Sequence, residues 1–451
     1  MSTFLNEIIQ TIADRGRTFL DIRPARGTAG PEATIGACRA LLSQKGEASG
    51  VALAQDILRD YSRFSPDDRI AFFRHLRDDF GADRQTLLEA AERYAQSRSE
   101  EDAAILHEVA EPRRQELIRR LNLAPGGTAA LVSMREDLIA RLNAEPSLRV
   151  VDADFGHLFS SWFNRGFLVI RRIDWQTPAA VLERIIRYEA VHAIQDWDDL
   201  RRRIDPPDRR LYAFFHPTLT DDPLIFVEVA LTAGIPGAIE PILSAAREPL
   251  SPAQATTAVF YSISNCHAGL RGVSFGSFLI KQVVAELCRE LPKLKTFVTL
   301  SPVPGFRTWL ERTGRGGRSH DLSDAQLERA LDLAATGRPA LLKDEALKTK
   351  LTALAAHYLI REKASRNQPL DPVARFHLGN GARLERVNWA ADLSPNGLSR
   401  ACGLMVNYLY DPQEIEPSHE AYVTRGVVSA SPAVQKLVKS VSEQKQLAPT
   451  S

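Results

Sequence analysis

The sequence predicts an α+β protein in two parts, an all-helical bundle over residues 1–150 and a domain over 151–451 in which strands and helices mix. Three observations predict it. The first 150 residues carry apolar positions at helical spacing and repeated helix-start signals, with no β-rich run between them. After 150, short runs of β-branched and aromatic residues appear, separated by helical stretches. The whole chain, 451 residues with 44% hydrophobic and 25% charged, has ordinary globular composition and length for two or three domains.

In the first part Leu5, Ile8, Ile9 and Ile12 form one apolar helical stripe. Ser65 is a natural N-cap, with Pro66 at the first helical position and Asp67 and Asp68 in the first turn. That helix carries Ile70, Phe73 and Phe80, and Gly81 is its expected C′ stop. Ser99 starts another helix in the same way. Further helices are expected at 31–45, 50–63, 84–97, 113–121 and 128–144. Short connections between them suit antiparallel packing.

In the second part strands are expected at Gly166–Arg171, Leu211–Phe215, Leu224–Leu231, Thr257–Ser264, Thr296–Leu300, Arg383–Asp392 and Gly403–Tyr410. Helices are expected at 179–200, at 277–290 on Leu279, Ile280, Val283, Val284 and Leu287, at about 322–363, and at 431–445. Tyr261 and Tyr410 end apolar strands and are expected to pack with their hydroxyls at an edge.

Charge and cysteines exclude several classes. With 57 Lys+Arg against 56 Asp+Glu the net charge is +1, which argues against coating nucleic acid or an anionic membrane. Cys38, Cys266, Cys288 and Cys402 lie far apart with no CxxC spacing, against a disulfide scaffold or zinc site. The ten histidines form no HxxxH or HExxH pair, and no metal site is proposed. The N-terminal stretch lacks a long apolar run and QLAPTS matches no retention or peroxisomal address, so a cytoplasmic protein is expected.

Three short segments carry chemistry. Arg271, Gly272, Val273, Ser274, Phe275, Gly276 and Ser277 lie between a strand and a helix start. There, backbone N–H groups and Arg271 suit a phosphate, although an ordinary strand-to-helix connection has the same form. Ser301, in LSPVPGF, follows a strand directly, as a site residue or as a turn cap. His377, in FHLGNG, precedes a turn, as an acid–base group or as a structural hydrogen bonder. His192 and His216 are similarly placed. The chain has no GxSxG elbow for a hydrolase triad.

Taken together, FFHPTLTDDPLIFVEVALT (214–232), AVFYSISNCHAGLRGVSFGSFLIKQVV (258–284), FVTLSPVPGFRTWL (297–310) and the stretch 371–410 resemble the malonyl-CoA decarboxylase family, of bacterial type. The resemblance implies a helical bundle that oligomerises, to a dimer or tetramer, before a catalytic domain like the GNAT acyl-CoA N-acyltransferases. It implies conversion of malonyl-CoA to acetyl-CoA and CO2, with Arg271 to Ser277 as the CoA-binding loop, Ser301 and His377 as catalytic residues, and Ser262 and Tyr410 at further active-site positions. At Ser274 the family is expected to carry a glutamate, which this chain lacks. Because the thioester carbonyl can itself accept the electron pair, no cofactor is required. The rival readings are an acyl-CoA-dependent N-acyltransferase, which needs an amine acceptor, and a non-catalytic malonyl-CoA sensor.

Overall fold

The computed structural model describes residues 30–43, 46–219, 221–273, 278–315, 322–364 and 367–447, together with Thr11. The stripe Leu5, Ile8, Ile9 and Ile12 lies outside them. The chain divides into two compact units. One comprises residues 1–169 with 215–224 and 267–275; the other comprises 170–214, 225–266 and 276–451.

The first unit is helical, as its sequence predicts. Its helices are Pro31–Ser43, Glu47–Ser62, Pro66–Asp78, Arg84–Ser97, Glu100–Ala110, Arg113–Asn122, Gly127–Arg141 and Arg149–Trp162. Ser65 accepts a hydrogen bond from the Asp68 N–H and Ser99 one from the Asp102 N–H, so both hydroxyls satisfy amides that the helix start leaves free. Helix Pro66–Asp78 ends at Asp79, with Gly81 two residues beyond the cap. Its buried Phe72 and Phe73 meet the ring of Tyr61 at 5.3 and 6.0 Å. The expected boundary at 150 falls at the start of the last of these helices, which buries Val151, Phe155, Leu158 and Phe159.

The second unit is built on one mixed sheet of eight strands: β1 Val169–Ile173, β2 Arg209–Phe215, β3 Pro223–Thr232, β4 Thr257–Asn265, β5 Thr296–Thr299, β6 Ser301–Pro302, β7 Arg383–Asn388 and β8 Met405–Leu409. Their order is β1-β2-β3-β4-β5-β8-β6, and β7 also pairs with β8. β2 and β3 are buried almost throughout, which explains their continuous apolar runs. The decisive feature is at the centre. β4 and β5 run parallel from Thr257 opposite Thr296 to Phe260 opposite Thr299. Beyond that point β4 continues beside β3, while Ser301 pairs with Val406 of β8. Ser262 and Ser301 therefore stand on the two sides of a parting in the sheet.

Two local differences from the sequence expectation matter for the site. The helix expected over 179–200 is two helices, Ala179–Tyr188 and Trp197–Ile204. The break has a cause: the Glu189 carboxylate takes the N–H groups of Val191 and His192, and Asp196 then caps the next helix. His377 lies in the last turn of a short helix, Pro372–Gly379, and not merely before a turn. Buried Asp371 caps that helix by accepting from the Val373 and Ala374 N–H groups, both at 2.9 Å. Gly381, which closes the turn after it, has φ +81°, and a side chain there would meet the carbonyl of Ile415.

Asp371→Ala is expected to lower unfolding stability by about 1–2 kcal/mol, because the cap is lost and the Ala374 amide it served is buried. Asp371→Asn, which keeps an acceptor oxygen, is expected to retain most of it. Urea unfolding of the three proteins checks this, and an unchanged midpoint for Asp371→Ala contradicts it.

Candidate active site

Sheet and short helix together place three of the expected catalytic residues at one cavity of about 350 Å³ within the second unit. Ser262 of β4, Ser301 of β6 and His377 line it, with Phe260, Val191 and Phe376 among the apolar walls. Tyr410 lies behind His377. It follows β8 directly and its N–H bonds the carbonyl of Phe297. Tyr410 and Tyr261 are fully buried, so neither hydroxyl is at an edge as expected.

The hydrogen bonds form one directed chain. Ser301 Oγ donates to Thr299 Oγ1 at 2.8 Å, and Thr299 Oγ1 also accepts from the Tyr408 N–H at 3.1 Å. With its single proton given to Thr299, Ser301 Oγ can only accept from His377 Nε2, 3.1 Å away. That assigns the ring proton to Nε2 from the network and leaves Nδ1 to accept from the Tyr410 hydroxyl at 2.8 Å. Burial holds the Tyr410 phenol well above its ordinary range, so it keeps the proton that it donates. The Tyr408 ring stacks on the imidazole at 4.6 Å and fixes its plane.

The resting charge of His377 differs from the sequence expectation. An unperturbed imidazole would carry a proton for part of the time near neutrality. Here burial pushes the His377 pKa down to about 3. The ring is neutral at rest, and any role as an acid requires a change brought by the ligand.

Of the expected loop, Arg271 and Gly272 are exposed and Val273 is buried in the first unit, with Gly272 at φ +80°. Ser274, Phe275, Gly276 and Ser277 lie outside the described residues. His216 is held by Trp162 O at 3.1 Å and Thr218 Oγ1 at 2.7 Å, and burial lowers its pKa, the environment of a structural histidine. His192 is buried beside the Tyr261 ring, at 6.5 Å.

Sequence reasoning missed Glu189. Its buried carboxylate accepts from Ser262 Oγ at 2.8 Å, Ser264 Oγ at 3.1 Å, and the N–H groups of Val191 and His192 at 2.8 and 2.7 Å. It also missed Glu228, fully buried and paired with Arg203 at 3.3 Å. Burial, reinforced by the charge of Glu189, raises the Glu228 pKa to about 7 against the pull of Arg203. The signal available was an acidic residue in the middle of an apolar strand, Phe226 to Leu231. Among the described residues no group of three or more potential ligands could hold a metal ion. No helix among them is long and apolar enough to cross a membrane.

Comparison with known proteins gives a consistent result. Residues 166–448 match the family described as malonyl-CoA decarboxylase C-terminal domain, and residues 80–163 match the corresponding N-terminal domain. The mitochondrial malonyl-CoA decarboxylase of Anser anser anser is 35% identical over 405 residues, 82% of this chain and 80% of its own. The crystal structure of malonyl-CoA decarboxylase from Rhodopseudomonas palustris is 56% identical with a TM-score of 0.85, covering 90% of this chain and 100% of that one. The structure from Agrobacterium vitis is 53% identical with a TM-score of 0.84, over 90% and 99%.

The depressed pKa of His377 has a consequence for stability. An unfolded chain takes up this proton near pH ~6.5, whereas the folded chain refuses it until about pH 3. The stability that the neutral ring permits is therefore complete above pH ~6.5 and lost progressively as pH falls towards 3. Thermal melting at pH ~7.5 and ~5 is expected to show a larger drop for the wild type than for His377→Gln. Equal drops contradict the assignment.

Proposed function

Because the chain belongs to the malonyl-CoA decarboxylase family, we propose that it converts malonyl-CoA to acetyl-CoA and CO2, using Ser301 and His377 at the parting of β4 and β5. The observation that carries the reading is the hydrogen-bonded chain Tyr410–His377–Ser301 at the wall of a largely apolar cavity. The bond between C2 and the carboxylate carbon breaks. Its electron pair passes into the thioester as an enolate, the carboxylate leaves as CO2, and one proton is delivered to C2. The thioester carbonyl is the electron sink, so the residues need only hold charge and move that proton.

The charge on the substrate supplies what the resting site lacks. A malonyl carboxylate bound beside the neutral imidazole raises its pKa by direct attraction, so His377 takes up a proton on binding. As the enolate forms, Ser301 turns its proton from Thr299 to C2 and receives one from His377 Nε2, a short relay that the 3.1 Å contact permits. Backbone N–H groups of β4 beyond Phe260 are suited to hold the thioester oxygen as its charge grows. The same parting of parallel strands supports the acyltransferase-like reading of this domain. Arg271 and its loop are assigned to the CoA phosphates, where an exposed guanidinium suits an anion.

We further infer that the helical module assembles the chain into a dimer or tetramer. Helix Arg84–Ser97 buries only Ala90, and Leu88 and Tyr94 on it are exposed, Leu88 by 55%. The four cysteines stand outside any disulfide, which supports a cytoplasmic location.

Incubation with malonyl-CoA and no acceptor is expected to yield acetyl-CoA and CO2; a requirement for an amine supports the N-acyltransferase, and binding without product a sensor. Ser301→Ala and His377→Asn are each expected to lower kcat about 10²–10⁴-fold while leaving acetyl-CoA affinity largely intact, and near-wild-type turnover in either overturns its role. Light scattering is expected to give a multiple of the chain mass, reduced in a Leu88→Glu, Tyr94→Ser variant. A monomeric wild type contradicts the assembly.

A further inference from the structure

Ser262 also lines the cavity, and the direction of its hydrogen bond is informative. Ser262 Oγ lies 2.8 Å from both oxygens of Glu189, and a carboxylate can only accept. Ser264 gives its proton to the same carboxylate at 3.1 Å, and the Val191 and His192 N–H groups complete the set. All four hydrogen-bond partners of Glu189 are donors, the arrangement that suits a carboxylate away from water. Ser262 therefore faces the cavity with lone pairs only, in front of a fixed negative charge.

Building on the decarboxylase reading, we propose that Glu189 is a positioning residue for the reaction: it locks Ser262 as an acceptor-only wall and sets a buried negative charge behind it, so that the cavity holds the substrate's carboxylate less well than the neutral CO2 it becomes. A wall of this kind withholds hydrogen bonds from the charged ground state and loses nothing as the charge moves into the thioester, which lowers the barrier selectively. The same carboxylate ends helix Ala179–Tyr188 and places Val191 in the cavity wall, so the turn and the charge are one device.

The test is kinetic. Glu189→Gln is expected to lower kcat about 10- to 100-fold, with the KM for malonyl-CoA unchanged or lower and inhibition by acetyl-CoA, which lacks the carboxylate, unaltered. Ser262→Ala is expected to lower kcat as well. Adding Glu189→Gln to it is expected to cost much less than in the wild type, because Glu189 acts through Ser262. A wild-type kcat in Glu189→Gln, a raised KM with kcat intact, or fully additive losses would each overturn the proposal. Should Glu189→Gln lose its native circular dichroism, Glu189→Asp, which keeps the charge, is read instead. Recovery of most of the turnover supports the role, and a well-folded but inactive Glu189→Asp with raised KM refutes it. Failure of the decarboxylase reading looks different: the wild type itself then releases no CO2 from malonyl-CoA.

Discussion

The hydrogen bond from the Tyr410 hydroxyl to His377 Nδ1 is made where water cannot replace it. Both groups are buried, and an unpaired imidazole nitrogen at that depth would cost roughly 1–3 kcal/mol. Two consequences follow from that single contact: the ring proton is confined to Nε2, and the ring is directed at Ser301. Burial of the same ring suppresses its charge in the free protein. The stacked ring of Tyr408 and the capped helix from Pro372 hold the geometry from the sides. The parting of β4 from β5 provides the space in front of it.

A low-dielectric cavity whose acid stays neutral until substrate binds suits decarboxylation for a physical reason. The charge of the substrate is redistributed, not created, so a site that stabilises the initial carboxylate strongly would slow its loss. On this account the binding of CoA and the chemistry are assigned to different groups. The proposed phosphate-binding loop would supply affinity through charge that does not change during the reaction, while the Ser262 wall of the cavity offers the reacting carboxylate no hydrogen bond. The near-zero net charge of the whole chain is compatible with this division, since only local groups need meet the ligand's charges.

Much of the fold was legible because apolar periodicity and caps are local properties. The helices between Pro31 and Arg141, the strand β4 and the helix after the 271–277 loop all follow from their own residues. Ser301 and His377 were legible as candidates, but neither spacing nor composition brings two residues 76 positions apart within 3.1 Å; sheet topology does that. From its own residues Tyr410 reads as a packing residue, and only the family resemblance marks it as an active-site position, because a sequence does not say where a phenol at a strand end finds its partner. The helix break at Glu189 was missed for the same kind of reason. Residues 179–200 have sound helical periodicity, and the competing interaction comes from a side chain that claims backbone amides two and three residues ahead while accepting hydrogen bonds from β4. Local propensity and the site disagree there, and the site prevails.

The central claim is that His377 rests as a neutral Nε2–H imidazole, held by Tyr410 and awaiting the substrate's charge. Nitrogen-15 NMR of histidine-labelled protein, with the His377 signals assigned by their loss in His377→Gln, measures this directly. The account predicts a protonated Nε2, a hydrogen-bond-accepting Nδ1, and no titration of this ring across the neutral pH range in the free protein. A ring that titrates near its ordinary pKa of ~6.5, or one that carries its proton on Nδ1, would contradict it.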